Sequence, residues 1–516
     1  MPPSSSSSSD TISNESKLIF FAFANTVWYM LTAYQCQKAT VKKVISSSTT
    51  SSSSSSSSSD KKKRDGPTNI TKSTELHVPS PPPSSSPSSS IMTKELKDSI
   101  IKGREIDGFA ISSIRLHDIP TLRDQFSSAN NSISSSFSYN KVLGKEDIII
   151  GDIVRSPNGK KDTEAYVRAG PRSQTHFDPS KVRAAIVTCG GLCPGLNNVI
   201  RDLVTSLYHL YNVDKVYGIR GGFHGFKETE DGYHHIDLSL DVVADAHHQG
   251  GTILASSRGG FDIEVIIDYL KKYDICQLYV IGGDGTHRGA YLISQEAIKR
   301  KLNISVVGIP KTIDNDVDVI DRSFGFTTSV EAAQAAIISA KTEARCNLPN
   351  GIGIVKLMGR SSGFIASHAT LASGDVDLCL VPEVPIQLEG EHGCLPFLRQ
   401  RVKDQGHAVV VVAEGAGEDL LGQSTETDAS GNRKLPPIGD FLKSKINEYF
   451  KSFKEEATVK YIDPSYMIRS VPANASDSLL CMLLAQNAVH GAMAGIIIII
   501  IIIIIIIVTI IMTLIR

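Results

Sequence analysis

The sequence predicts an α/β fold built on parallel sheets covered on both faces. Three observations carry this expectation. From about Asp178 to Gly495, short β-branched runs alternate with amphipathic stretches of roughly 12 to 18 residues. Turns rich in Gly, Pro and Asp separate them. Most of the short runs are continuously apolar, as strands buried on both sides require. The 516-residue chain is 41% hydrophobic and 21% charged, a composition that supports a large core.

Composition also excludes some functions. With 53 Lys+Arg against 54 Asp+Glu and a pI near 6.9, no polyanion-attracting field exists, which argues against nucleic-acid binding as the main role. The eight cysteines contain no CxxC pair, which argues against zinc ribbons and secreted disulfide scaffolds and fits a reducing compartment.

Residues 1–95 form a low-complexity region with Ser runs at Ser4–Ser9 and Ser51–Ser59 and a Pro/Ser block over Pro79–Ser90. Such a segment cannot offset its ordering entropy by burial, so it is expected to be disordered. Within it, Leu18–Tyr34 is apolar and compatible with a signal-like, membrane-anchoring or organelle-targeting stretch. The basic cluster Lys61–Arg64 reads as a solvated run beside a flexible tract. Residues 96–177 form an N-terminal extension, and 178–495 the main domain. The strands expected there are Arg183–Cys189, Val213–Gly218, Gln277–Gly282, Ile304–Ile309, Gly353–Leu357, Asp377–Val381 and Ala408–Ala413. The tail, 496–516, opens with an unbroken run, Ile496–Ile507. Its apolar length, about 20 residues, would span a bilayer. A tail anchor and a degenerate terminus both remain open, as does membrane association.

In open α/β sheets ligands collect at the carboxyl ends of strands, so chemistry is expected just after each apolar run. After the first comes the glycine-rich turn Gly190–Asn198, where backbone N–H groups can approach phosphate oxygens. It has neither the GxxxxGK nor the GxGxxG spacing. After Gln277–Gly282 comes Gly283-Asp284-Gly285-Thr286, whose carboxylate suits a magnesium ion held against nucleotide phosphates. After Ile304–Ile309, Pro310–Asp316 places a hydroxyl, an amide and two carboxylates at a neighbouring strand end. Phosphoryl transfer to an alcohol needs such a group, with one carboxylate accepting the hydroxyl proton, and Asp314 is the candidate base. Met358-Gly359-Arg360, Glu414-Gly415 and Tyr466–Arg469 follow further apolar runs. The two arginines suit a sugar phosphate, and Glu414 suits sugar hydroxyls.

Assembled in order, seven blocks closely resemble the 6-phosphofructokinase family: TCGGLCPGLNNVIR (188–201), GGTILASSRGG (250–260), IGGDGT (281–286), PKTIDND (310–316), KLMGRSSGFIA (356–366), VAEGAG (412–417) and KYIDPSYMIR (460–469). The resemblance covers about 165 to 495. It implies two Rossmann-like lobes with parallel-sheet cores, with Mg2+ and ATP held mainly by the first and fructose 6-phosphate in the cleft between them. It further implies the committed step of glycolysis, allosteric control, a homo-oligomer (dimer or tetramer) and a cytoplasmic location, with the plastid as alternative. By the same resemblance Gly191, Arg258, Gly259 and Gly283–Thr286 would form the ATP site, with Asp284 as metal ligand. Thr312, Asp314, Met358, Gly359, Arg360, Glu414, Lys460, Tyr466 and Arg469 would surround the sugar phosphate. Asp314 would be the base, and Lys311 would stabilise the transferring phosphoryl group.

Gly285 sits where ATP-using members of the family leave room for the nucleotide, whereas Lys311 is typical of pyrophosphate-using members. This mixture resembles the plant and algal ATP-dependent subgroup. Two departures stand out. The segment Asn347–Gly351 lacks an arginine by which a neighbouring bacterial subunit reaches the substrate, and after His490–Gly495 the poly-Ile run replaces residues that would finish a lobe. Competing readings are a pyrophosphate-dependent enzyme and a truncated, non-catalytic or membrane-tethered subunit; a GGDGT turn also occurs in NAD and lipid kinases.

Overall fold

The computed structural model describes residues 113–497, apart from 118–119, 127–130, 133–142, 145–146, 152–161, 230–232, 318–319, 423–425 and 428–433. The Ser-rich region, Leu18–Tyr34, Lys61–Arg64 and the Ile run beyond Ile497 lie outside the described residues.

Among the described residues, five short strands precede the main sheets: β1 (Ser113–Leu116), β2 (Asn131–Ser132), β3 (Ile148–Ile150), β4 (Asp162–Val167) and β5 (Gln174–Thr175). They form a small β1-β4-β3 sheet and a β2-β5 pair. The first lobe holds β6 (Arg183–Thr188), β7 (Lys215–Ile219), β8 (His235–Asp237), β9 (Gln277–Gly282) and β10 (Ser305–Pro310), in the order β10-β9-β6-β7-β8. All pair in parallel except β8, which closes the edge antiparallel to β7. The second lobe holds β11 (Gly351–Leu357), β12 (Leu378–Leu380), β13 (His407–Ala413) and β14 (Thr458–Ile462), wholly parallel in the order β12-β13-β11-β14. All seven expected strands are present, with ends shifted by up to two residues at most boundaries. The edge strands β8 and β14 are additional: Lys460 interrupts the apolar run of β14, and β8 has only three residues.

The period-two pattern of the strands sorts their side chains into separate cores. Ala184 and Ile186 of β6 face one cluster, whereas Ala185 and Val187 face another, beneath helices α1 (Ile263–Lys272) and α2 (Asp284–Lys299). In the second sheet Ile352 and Ile354 point outward under helices Cys394–Gln405 and Ile438–Ser452, while Val355 and Leu357 point inward. The inward faces of both sheets share one continuous core. Leu203 of helix Leu196–Tyr211, Ile337 of helix Phe326–Cys346 and Leu484 of helix Ala475–Met493 are buried in this seam. Leu122 and Phe177 also belong to it, so residues ahead of the main domain contribute to its packing.

The start of the Ile run is seated rather than loose. Ile496 bridges Thr121, Ile497 N–H donates to the Pro120 carbonyl at 3.0 Å, and Ser305 Oγ donates to the Ile496 carbonyl at 2.9 Å. No described helix is long and apolar enough to cross a membrane.

The last helix is tied to the first-lobe helix by a buried contact between Tyr211 Oη and His490 Nδ1 at 2.7 Å. Burial pushes the His490 imidazole down to about 4, so it is neutral in the fold and protonates only on unfolding. Stability linked to it is full above the unfolded value near 6.5 and is lost as pH falls toward 4. His490→Gln is expected to flatten the acid limb of the stability curve over this window by on the order of 3 kcal/mol, measured by urea unfolding at stepped pH.

Candidate active site

Because β10, β9 and β6 are adjacent and parallel, their carboxyl ends deliver three loops to one edge of the first sheet. Cys189 N–H donates to the Ile281 carbonyl at 2.9 Å and Lys311 N–H to that of Gly282 at 2.8 Å, so the ladder continues into the loops. A fourth loop rests against them: Ser256 Oγ donates to the Gly190 carbonyl at 2.6 Å and Gly190 N–H to that of Ser257 at 3.0 Å. Gly190 adopts φ +87°, the left-handed region that favours glycine.

Together the loops enclose a cavity of about 410 Å3. Its wall contains Gly191, Arg258, Gly259 and Gly283–Thr286, along with Lys311, Thr312 and Asp314. Arg360 joins them from the second lobe. Helix α2 points its N-terminus into this space. Its cap, Gly283, offers no side-chain acceptor, so the first-turn N–H groups and the positive end of the helix dipole remain available to an anion. Gly285 has nothing within 4 Å of where a Cβ would stand, so any side chain there would project into the open space.

The loop after β10 turns one carboxylate inward. Asn315, at φ +57°, accepts from Ser323 N–H at 2.6 Å and donates to the Asp321 carbonyl at 3.1 Å, which pins the turn. Thr312 Oγ1 donates to Asp316 Oδ1 at 2.6 Å and accepts from Asp314 N–H at 3.2 Å. Asp314 is only 8% exposed; its Oδ2 accepts from Arg360 N–H at 3.4 Å, whereas its buried Oδ1 has no partner among the described residues. Burial, followed by the negative charges of Asp316 and Glu414, pushes its carboxyl up to about 7 against the opposing Arg360. Burial pushes the Lys311 ammonium down, opposed by the neighbouring Cys193, Cys189 and Asp314.

The second lobe supplies the facing wall by the same construction. Glu414 N–H donates to the Leu357 carbonyl at 2.9 Å and Gly415 N–H to that of Gly359 at 3.0 Å. A Cβ on Gly415 would lie 1.8 Å from the Arg360 carbonyl oxygen, so only glycine lets this loop settle. Two guanidinium groups from opposite lobes converge on Gly191: Arg258 Nη2 lies 3.9 Å and Arg469 Nη1 4.0 Å from where its Cβ would be. Arg469 also stacks over the Tyr466 ring at 4.7 Å, while Tyr466 itself is 73% exposed. Behind them, Gly250 meets Ser470 backbone to backbone, with 1.9 Å between a would-be Cβ and the Ser470 carbonyl oxygen. Burial raises the Glu414 carboxyl, opposed by Lys356, Arg360 and Arg469 and reinforced by Asp463.

Most of the residues singled out in the sequence therefore gather at one cleft. Met358 packs partly buried against the inter-lobe core, Lys460 sits within β14 paired with Gly353, and Gly359, Glu414, Tyr466 and Arg469, like these two, stand outside the cavity wall, although Arg469 reaches toward Gly191. The wall also holds Phe223, Ser257, Phe261 and Asp316, which sequence reasoning did not assign. Phe223 follows β7, so the strand-end rule could have found it. Among the described residues no group of three His, Cys, Asp or Glu forms a metal cage. Asp284, exposed at the cleft, nevertheless fits a Mg2+ that takes one or two carboxylates and otherwise water and phosphate oxygens.

The sequence pattern of the family described as Phosphofructokinase matches residues 183–492. The chain is similar to ATP-dependent 6-phosphofructokinase 7 of Arabidopsis thaliana, 50% identical over 390 residues that cover 74% of this chain and 79% of the relative. ATP-dependent 6-phosphofructokinase 4, chloroplastic, of the same plant is 47% identical over 406 residues, 76% of this chain and 74% of the relative. An ATP-dependent 6-phosphofructokinase of Borreliella burgdorferi is 50% identical over 335 residues, 64% of this chain and 74% of the relative.

Holding Asp314 ionised costs the folded state on the order of 4 kcal/mol above pH 7, because its carboxyl is raised from 3.8 to about 7. Asp314→Asn is therefore expected to raise Tm at pH 8, with the gain shrinking as pH falls toward 4. Thermal unfolding across that range reads the difference, and an equal or lower Tm at pH 8 would contradict the assignment.

Proposed function

The chain belongs to the phosphofructokinase family, and we propose that it transfers the terminal phosphoryl group of ATP to the 1-hydroxyl of fructose 6-phosphate, giving ADP and fructose 1,6-bisphosphate. The observation that carries this reading is the placement of Asp314. A buried carboxylate with one unpartnered oxygen and a pKa pushed up to about 7 stands between the anion-seeking helix terminus of one lobe and the arginines of the other.

The residues divide by charge and position. Gly191, Gly259 and Gly283–Thr286 give close backbone approach to the nucleotide phosphates, and Arg258 neutralises them. Asp284 would hold Mg2+, which supplies charge neutralisation at the transferring phosphoryl oxygens when bound. Arg360, Tyr466 and Arg469 receive the 6-phosphate end, with Met358 and Gly359 shaping the loop and Glu414 accepting from sugar hydroxyls. Thr312 aligns the loop so that Asp314 accepts the proton of the 1-hydroxyl as the new P–O bond forms. Lys311, beside Gly190, stabilises the charge on the group in flight. We assign Lys460 no contact beyond a supporting place in β14.

ATP rather than pyrophosphate is favoured by the open space at Gly285. We propose the cytoplasm as its location, with the plastid as alternative, since two relatives carry the description chloroplastic, and we expect a homo-oligomer.

Purified full-length chain with Mg2+ is expected to turn over fructose 6-phosphate with ATP and not with pyrophosphate, read by coupled ADP and bisphosphate assays. Asp314→Ala should lower kcat by about 10^2- to 10^4-fold, and wild-type kcat/KM, which reports the free enzyme, should fall on the acid side with a midpoint about 7. Gly285→Asp, which places a carboxylate in the nucleotide space, should lower kcat/KM for ATP by roughly 100-fold. Turnover with pyrophosphate alone would reassign the donor; folded protein inert with both donors would remove the enzymatic reading.

A further inference from the structure

We propose that Lys356 and Asp463 are positioning residues for the sugar substrate: their ion pair fixes the turn that carries Tyr466 and Arg469 and keeps a positive charge beneath Glu414. The inference rests on the reading that fructose 6-phosphate binds between these groups.

Lys356 stands where an apolar residue is expected. On β11, Ile352 and Ile354 occupy the outward face with Val410 and Val412 of β13, and Lys356 follows on that same face in register with Val412. Its side chain is only 20% exposed. An ammonium drawn from water to this extent is retained only when paired. The pair is Asp463 Oδ2, 2.6 Å from Lys356 Nζ, immediately beyond the carboxyl end of β14. The other oxygen of the same carboxylate accepts from Ser465 N–H at 3.2 Å and from Ser465 Oγ at 2.5 Å. That bond sets the start of the short helix Ser465–Arg469. One carboxylate thus ties strand β11 to the turn whose last residue reaches toward Gly191.

The same lysine enters the charge balance of Glu414. Glu414 is faced by Lys356 from β11, Arg360 from the loop after it, Arg469 from the short helix, Asp463 after β14 and Asp314 after β10. Three cations face three carboxylates, Glu414 included. Without Lys356, two arginines are left to oppose two carboxylates and the effect of burial, and Glu414 takes up a proton at higher pH. A protonated Glu414 accepts fewer bonds from sugar hydroxyls, so the loss falls on sugar affinity and not on nucleotide affinity. Asp463→Asn does the reverse: the amide oxygen still accepts from Ser465, one negative charge disappears, and Glu414 stays ionised to lower pH.

The test is steady-state kinetics of the full-length chain with Mg-ATP and fructose 6-phosphate from pH 6 to 8.5, each variant divided by wild type at the same pH so that titration of the sugar phosphate cancels. Lys356→Met is expected to raise KM for fructose 6-phosphate about tenfold at pH 7. The rise should steepen toward pH 6, while KM for ATP changes less than about twofold. Lys356→Arg should restore most of the affinity, and Asp463→Asn, which also breaks the ion pair, should raise KM for fructose 6-phosphate at all pH values while moving its acid limb in the opposite direction. A purely structural role moves both substrates' KM together and gives profiles parallel to wild type; either result overturns the proposal, as would a shift of both variants' acid limbs in one direction. If Lys356→Met fails to fold, Lys356→Arg and Asp463→Asn still give the sign comparison. Wild-type protein inert toward fructose 6-phosphate with ATP removes the underlying reading and this inference with it, whereas active wild type with unresponsive variants removes this inference alone.

Discussion

The apolar seam between the two sheets sets the distance over which every polar group of the cleft works. Leu203, Ile337 and Leu484 are buried in it, and inward-facing residues of both sheets complete it. Interiors are packed as densely as organic crystals, so this layer behaves as a spacer and not as a fluid. Each sheet then projects its strand ends toward the other from a fixed base. From that base Arg360 and Arg469 reach first-lobe groups.

Within that frame burial acts on charges of both signs. It lowers the affinity of Lys311 for its proton and raises that of Asp314, so both groups are drawn toward neutrality. An anion seated at the terminus of α2 changes this balance in favour of the ammonium and against the carboxylate. The protonation of the cleft is therefore coupled to its occupancy, and the fold carries a carboxylate that opposes its own stability at neutral pH.

Much of this was legible in the chain because strand period and strand-end chemistry are local properties. In each of β6, β9 and β10 the apolar run and the polar residues after it lie within about a dozen positions. What escaped is long-range. Lys356 reads as a mere interruption of an apolar run, since Asp463 lies far along the chain and only the β11–β14 pairing brings them together. Asp314 is raised first by burial and then by nearby Asp316, and the further contribution of Glu414 reaches it only through the fold in the same way. The exposure of Tyr466 and its stacking beneath Arg469 were not deducible either. The strands before residue 177 are short and of mixed pairing, so no period could reveal them, yet Leu122 and Phe177 reach the shared core.

The backbone contact at Gly250 has a mechanical side. The loop holding Arg258 and the segment holding Arg469 touch there with no side chain between them. Side chains are compliant, because rotamers absorb small shifts, whereas two backbones in direct contact are stiff. A displacement of one segment is therefore handed to the other nearly undiminished. Arg258 on one side and Arg469 on the other are thereby held to a common backbone reference at Gly250.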